Sequence, residues 1–290
     1  MMMDVRLTKY AGKAMIGLLA GVVSFSASGS CLGDQTAASS LKVYVVPQMT
    51  ATEVYVRWAP LLKELGHRTK QCFELNVPSN IPQFEADLND GLPDFAYMNP
   101  YHAVMPWREN QYVPLIASSE PIFGLLSVRR DSKVQNLQQL SGESIAFPAP
   151  NAFAASLLIR ATLALEGVVY KPVYVKTHSN VYRSVIRGDV AAGGGIQSTL
   201  MAEPPELRAE LRVLMETKFY TAHPFSANAR VPVALQKQIQ DAILAIGRTS
   251  DGEKLLKGAQ LTDPKVVTFQ ANYQPLKELN LEKFVGRNAD

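Results

Sequence analysis

Three short segments bring together residue types that can hold a small anion. The run Asp94-Phe-Ala-Tyr-Met-Asn-Pro-Tyr-His102 reads as a buried strand that ends abruptly in a helix start. Asn99 is a good N-cap, because its side-chain oxygen accepts from the orphan N–H groups of a first turn. Pro100 suits the first helical position, where a missing N–H costs nothing. Tyr97 and Tyr101 flank the turn with hydroxyls. In Phe147-Pro-Ala-Pro-Asn151-Ala-Phe153, two prolines fix an extended turn and Asn151 is placed to cap the next helix. In Thr177-His178-Ser179-Asn180-Val181-Tyr182, Ser179 or Asn180 would cap. A strand running into a helix N-terminus offers free amides and a positive dipole end. Each dipole contributes only ~0.3–1 kcal/mol when exposed, so micromolar binding (~8 kcal/mol) also needs direct hydrogen bonds. Tyrosine, asparagine, histidine and backbone N–H groups supply them, and Gln48 and Gln197 are further candidates. Asn and Ser are also ordinary turn punctuation, so the anion reading requires the three ends to converge.

Little else points to chemistry. His67, His102, His178 and His223 lack metal-ligand spacing, so no metal is expected. Glu85, Asp87 and Asp90 read as a solvated face. Gly193-Gly194-Gly195 is followed by Ile196-Gln197 rather than Lys-Ser/Thr, so it is not a phosphate loop. Its glycines would let backbone approach a ligand or another lobe. Arg129, Arg130, Arg208 and Arg212 read as surface charge, and Cys72 as a small core residue. No Ser–His–Asp order with a strained elbow is visible. The chain is therefore read as a non-enzyme that needs no cofactor.

Strand-like and helix-like patterns alternate along the chain and must position these groups. Leu41 to Val46 is followed by a helical pattern from Thr52 to Leu65, then a strand from Gln71 to Val77. A helix from Ile81 to Leu88 leads to the strand Phe95 to Met98 and a helix that Pro106 must kink or end. Val113 to Ser118 and Leu125 to Val128 are further strands. The series then restarts with the strand Ser144 to Phe147, the apolar helix Ala152 to Leu165 and the strand Val173 to Thr177. A helix from Asn180 to Ile186 ends at Gly188, a buried run covers Val190 to Ala192, and Leu211 to Met215 is strand-like. Val233 to Ile246, Gly252 to Gly258 and Gln274 to Phe284 look helical. Two α/β series argue for two lobes facing across a cleft, each a mixed, mostly parallel sheet flanked by helices.

The first 30 residues read as a secretory signal: Arg6, Lys9 and Lys13, an apolar stretch from Ala14 to Phe25, then small residues. Cys31 follows Ser28-Gly29-Ser30, an imperfect match to a lipoprotein box, which leaves two readings open, a lipid on Cys31 or cleavage nearby by the general signal peptidase, with a flexible tether expected over 31–40. If Cys31 is lipidated or lost, Cys72 is alone and no disulfide forms. Removing the signal charges leaves 26 basic against 25 acidic residues, about +1, so no bulk field favours nucleic acid.

With these pieces in order, the chain resembles the phosphate/phosphite/phosphonate-type substrate-binding proteins of ABC transporters, in the type II periplasmic-binding-protein fold. The resemblance runs from about Leu41 to about Ile246. It rests on Asp94 to Tyr101, on Ser141-Gly-Glu-Ser-Ile-Ala-Phe147, and on Val175 to Gly188 with His178. It implies a two-lobed receptor, expected as a monomer, that delivers an oxyanion to a membrane permease. Lobe one would comprise residues 41–120 and 225–290, and lobe two 121–224. Tyr97, Tyr101 and His178 match ligand-contacting positions of the family. Two departures bear on the ligand. The hydroxyl-rich run usual at the first helix of lobe two reads Asn151-Ala-Phe153-Ala-Ala155 here. Ala191 stands where an aspartate is common, so an amino group on the ligand is not expected. Alternatives are a sensor presenting its ligand to a histidine kinase or chemoreceptor and, less favoured, an enzyme on the same fold.

Overall fold

Local capping signals set where the helices begin. The computed structural model describes residues 31–105 and 112–285; the expected signal over 1–30 and Pro106 lie outside them. The first series runs β1 (Leu32–Gly33), β2 (Ser40–Val45), α1 (Ala51–Thr69), β3 (Cys72–Asn76), α2 (Ile81–Asn89), β4 (Phe95–Tyr97) and β5 (Tyr112–Ser118). The second runs β6 (Gly124–Arg129), β7 (Ser144–Phe147), α3 (Ile159–Leu165), β8 (Lys171–Tyr174), α4 (His178–Arg187) and β9 (Ala192–Ile196). It ends with α5 (Gln197–Met201), α6 (Pro205–Ala209) and β10 (Leu211–Glu216). The chain then adds β11 (Pro224–Asn228), α7 (Val233–Ile246), α8 (Ser250–Gly258) and β12 (Pro264–Val266).

α1 starts at a capping box: Thr50 accepts from the Glu53 N–H while the Glu53 carboxylate accepts from the Thr50 N–H. Its Val54, Trp58, Leu61, Leu62 and Leu65 recur at helical spacing and are all buried against the first sheet. α4 starts at Thr177, whose hydroxyl accepts from the Asn180 N–H, and stops at Gly188, held left-handed at φ 77°. The cap is therefore Thr177, not Ser179 or Asn180.

β1, β3, β2, β4, β11, β5 and β12 form one sheet in that order, and β10, β6, β9, β7 and β8 the other. Both sheets are mixed, with parallel pairing confined to β3–β2–β4 and β9–β7–β8. That is less than the mostly parallel arrangement expected, because the strands next to the interlobe connections run antiparallel to their neighbours. Residues 119–123 and 217–223 link the sheets side by side, joined by reciprocal Ile122 and Tyr220 backbone bonds of 2.8 Å. A C-terminal turn, Leu281–Phe284, also reaches the second lobe, where Arg160 lies 5.9 Å from the Phe284 ring.

The N-terminal segment departs from expectation. Cys31 forms a disulfide with Cys72 across Cα atoms 5.3 Å apart. The sulfur that a lipid thioether would use is engaged, so this form carries no lipid on Cys31, and Cys72 is no isolated core thiol. Leu32 and Gly33 pair with Phe73 and Cys72, so the start of the expected tether is an edge strand. The approach is close: a Cβ on Gly33 would lie 2.6 Å from Gly66 Cα, and Gly33 itself sits at φ +116°. Closing a loop of 41 residues stabilises by about 4 kcal/mol in the chain-entropy account.

Two local expectations also change. Residues 99–105 form turns rather than a helix, with Val104 and Met105 N–H both donating to Tyr101 O. Residues 153–158 form a wide π-turn that runs into α3, a feature frequent at functional sites. No helix among the described residues is long and apolar enough to cross a membrane.

Candidate functional site

The strand ends of both lobes meet around a buried cavity of about 10 Å³, room for about one water molecule. Lobe one contributes Gln48 and Asn99 beside Val46 and Ile81. Lobe two contributes Ala152 to Ala155, His178 and Ile196, with Ile122 and His223 from the connecting segments. Small size follows from closure, since hydrogen bonds tie the lobes at several points. His178 N–H donates to Gln48 O (3.4 Å), and Asn99 Nδ2 donates to Asn151 O (3.0 Å). Asn151 Nδ2 donates to Glu85 Oε2 (2.9 Å).

The cavity is rich in donors, and among the described residues no carboxylate lines it. Among the described residues, no backbone carbonyl accepts from the N–H groups of Phe153, Ala154 or Ala155. They are the orphan amides of a helical start, and they lie on the cavity wall. Glycine makes this wall possible. Gly194 passes so close beneath the π-turn that a Cβ there would come within 2.0 Å of Ala155 O, and one on Gly195 within 2.2 Å of the Tyr182 hydroxyl. These glycines serve packing within their own lobe, not approach to a ligand or to the other lobe.

Two histidines face the cavity in neutral form. Burial drives the His178 pKa down to about 4. Burial first, and then repulsion from His102 and His178, take His223 down to about 3. Gln48 Nε2 lies 2.8 Å from His223 Nε2, so the amide donates, the ring nitrogen accepts, and the His223 proton sits on Nδ1. His178 Nδ1 lies 2.9 Å from Thr199 Oγ1, which also reaches Ile196 O (3.0 Å) and the Tyr182 hydroxyl (2.9 Å). When Thr199 donates to Nδ1, His178 carries its proton on Nε2 and can donate. When Thr199 donates to Ile196 O instead, Nδ1–H is the donor and Nε2 accepts. Nε2 has no hydrogen-bond partner among the described residues.

Beside the cavity lies a polar seam that the sequence reading missed. Glu85, expected on a solvated face, is buried at 6% exposure. His102, fully buried, donates from Nε2 to Glu85 Oε1 (3.0 Å). Asn99 Oδ1 accepts from the His102 N–H (3.0 Å), holding the turn as a cap would.

The structure thus divides the expected site residues. Gln48, Asn99, Phe153 and His178 line the small cavity, while Tyr97 and Gln197 line a larger chamber beside it. Asn151 is part of the seam, and caps no helix: the π-turn has no side-chain cap. Tyr101 lines neither space and packs in the first-lobe core, where burial pushes its hydroxyl up to about 12. Tyr97 donates to Gln260 O (3.3 Å), stacks on His223 at 5.3 Å, and is held un-ionised by burial. Ala191 packs with the second-lobe core rather than lining the cavity, so its lack of a carboxylate says nothing about the ligand there. His223, Ile81, Ile122 and Ile196 are additions that only the closed three-dimensional arrangement reveals.

Comparison with solved structures places the same fold elsewhere. PhnD1 of Prochlorococcus marinus in complex with methylphosphonate superposes with a TM-score of 0.76, at 14% identity over 84% of this chain and 98% of that one. The binding-protein component of an ABC phosphonate transporter from Pseudomonas aeruginosa gives 0.74, at 15% identity over 84% and 86%. A Xanthomonas citri protein bound to chloride gives 0.71, at 17% identity over 84% and 98%. No curated protein sequence matches the chain. Residues 43–273 match the family model described as ABC transporter, phosphonate, periplasmic substrate-binding protein, and the chain belongs to that family.

Proposed function

We propose that this chain is an exported receptor that captures a small oxyanion between its lobes and hands it to an ABC permease. The ligand class is a phosphonate, phosphite or phosphate-like group. The observation that carries this reading is the donor-rich cavity: three orphan amides, Gln48 and two neutral histidines, with no carboxylate in the wall among the described residues. Such a wall favours an anion without requiring a charged partner, because oriented dipoles and N–H groups act strongly once water is excluded. The closed cavity holds about one water, so the lobes must part to admit the ligand and then close less tightly around it, replacing its hydration shell with these donors.

The Cys31–Cys72 disulfide suits an oxidising compartment outside the cytoplasm. The missing hydroxyl cradle narrows the head-group interactions to amides and imidazoles, while Ile81, Ile122 and Phe153 leave an apolar wall for a carbon substituent. A thermal-shift screen of the protein from residue 31 onward tests the reading, since a ligand that binds only the folded state raises the melting point. Methylphosphonate, phosphite or phosphate should raise it and ammonium should not. No shift with any of the oxyanions at millimolar concentration would overturn the reading.

A further inference from the structure

A chamber of about 610 Å³ opens beside the small cavity and shares only Ile122, Ile196 and His223 with it. Its volume is that of a ligand pocket, and far more than a methylphosphonate-sized molecule fills. Phe123 and Met201 extend the apolar wall begun by Ile122 and Ile196. Beyond them lie two cations, the half-buried Arg57 on α1 and the exposed Lys257 on α8. Among the described residues neither has a carboxylate within ion-pairing distance. Glu53, one turn before Arg57, spends its Oε2 on the Thr50 N–H and hydroxyl. The opposing charge on the chamber wall is Glu120, which is exposed. Gln260 from lobe one donates to Ser198 Oγ of lobe two (3.3 Å), so the chamber, like the small cavity, is spanned by both lobes.

We propose that this chamber is a second subsite that takes the distal, anionic end of an organophosphorus ligand whose phosphonate or phosphate head occupies the small cavity. The inference rests on the head-site reading given above. An alkyl linker would pass the Ile122–Ile196–His223 partition, lie on Phe123 and Met201, and end at Arg57 and Lys257. This class of ligand has no cationic group and two anionic ends, in keeping with a head site without carboxylates.

Isothermal titration with methylphosphonate, hexylphosphonate and 6-phosphonohexanoate tests it, using wild type, the double variant Arg57→Gln/Lys257→Gln, and His178→Ala. The carboxylated chain should bind at least fivefold tighter than hexylphosphonate. The double variant should abolish that advantage and leave methylphosphonate affinity within twofold of wild type. Equal affinity of the two long ligands, or an advantage that survives the double variant, would overturn the chamber while leaving the head site intact. Binding of every phosphonate that ignores His178→Ala, or no binding of any, would overturn the head site and the chamber with it.

Discussion

Two buried polar clusters meet where the lobes touch, and they are wired in opposite ways. In the seam, Glu85, Asn99, His102 and Asn151 hydrogen-bond one another across the lobes, with donor–acceptor distances of 2.9–3.0 Å. In the cavity, the amides of Phe153 to Ala155 and His178 Nε2 keep hydrogen-bonding capacity that no described residue uses. Saturated polar networks hold structure, whereas unspent donors around a space await a ligand. Both clusters are almost solvent-free, so burial alone does not separate a latch from a binding site. The distinction lies in which hydrogen bonds are already made.

Acid should separate the clusters most strongly. Folding keeps His178 and His223 neutral at pKa values of about 4 and about 3, against an ordinary value of 6.5. Their contribution is thus complete above pH ~6.5 and is lost as pH falls toward the folded values. By pH 5 each costs about 2 kcal/mol, or about 4 kcal/mol together. Urea denaturation at pH 7.5 and 5.0 should show this loss in wild type and largely remove it in His178→Gln/His223→Gln. An unchanged acid dependence in that variant would place the acid sensitivity outside the cavity.

Glu85→Ala should come next. It takes away the acceptor that His102 Nε2 and Asn151 Nδ2 both face, at a cost of about 3 kcal/mol to the ligand-free protein. Methylphosphonate affinity should suffer less than stability. An affinity loss exceeding the stability loss would make the seam part of the binding site and break the comparison.

Proton counting sharpens it further. Because the cavity histidines are neutral well above their folded pKa values, methylphosphonate binding at pH 9.5, where the ligand is already a dianion, should take up essentially no protons. Titrations in two buffers of different ionisation enthalpy would give the same heat. Uptake near one proton would mean that an imidazolium forms on binding. The smallest expected effect is ligand charge: 2-aminoethylphosphonate should bind no better than ethylphosphonate, since no described carboxylate lines the cavity. A tenfold preference for the amine, ~1.4 kcal/mol, would contradict that.

Much of the scaffold was legible because its signals are local. The apolar spacing through Leu65 and Gly188 after Arg187 each state a boundary within a few residues. The three strand ends were likewise readable from repeated strand-to-turn patterns, and Asn99, Phe153 and His178 from them line one cavity. What escaped depends on partners far along the chain. Glu85 sits 66 residues from Asn151, and its place on α2 does not reveal that the second lobe covers it. The Cys31–Cys72 bond depends on β1 pairing beside β3, a register that a two-residue strand cannot announce. Asn99 and Asn151 looked like helix caps because their types suit caps. Tertiary hydrogen bonds claimed Asn151, and the chain after Asn99 stops at turns.

The central claim is that the cavity grips an oxyanion through uncharged donors, with His178 foremost among them. Isothermal titration of methylphosphonate at pH 7.5 into wild type and His178→Ala, with the melting point of each ligand-free protein as control, tests it most directly. The account predicts a five- to hundredfold weaker affinity in the variant, ~1–3 kcal/mol, with a ligand-free protein that still unfolds in one cooperative transition. Wild-type affinity in a folded His178→Ala protein would contradict it.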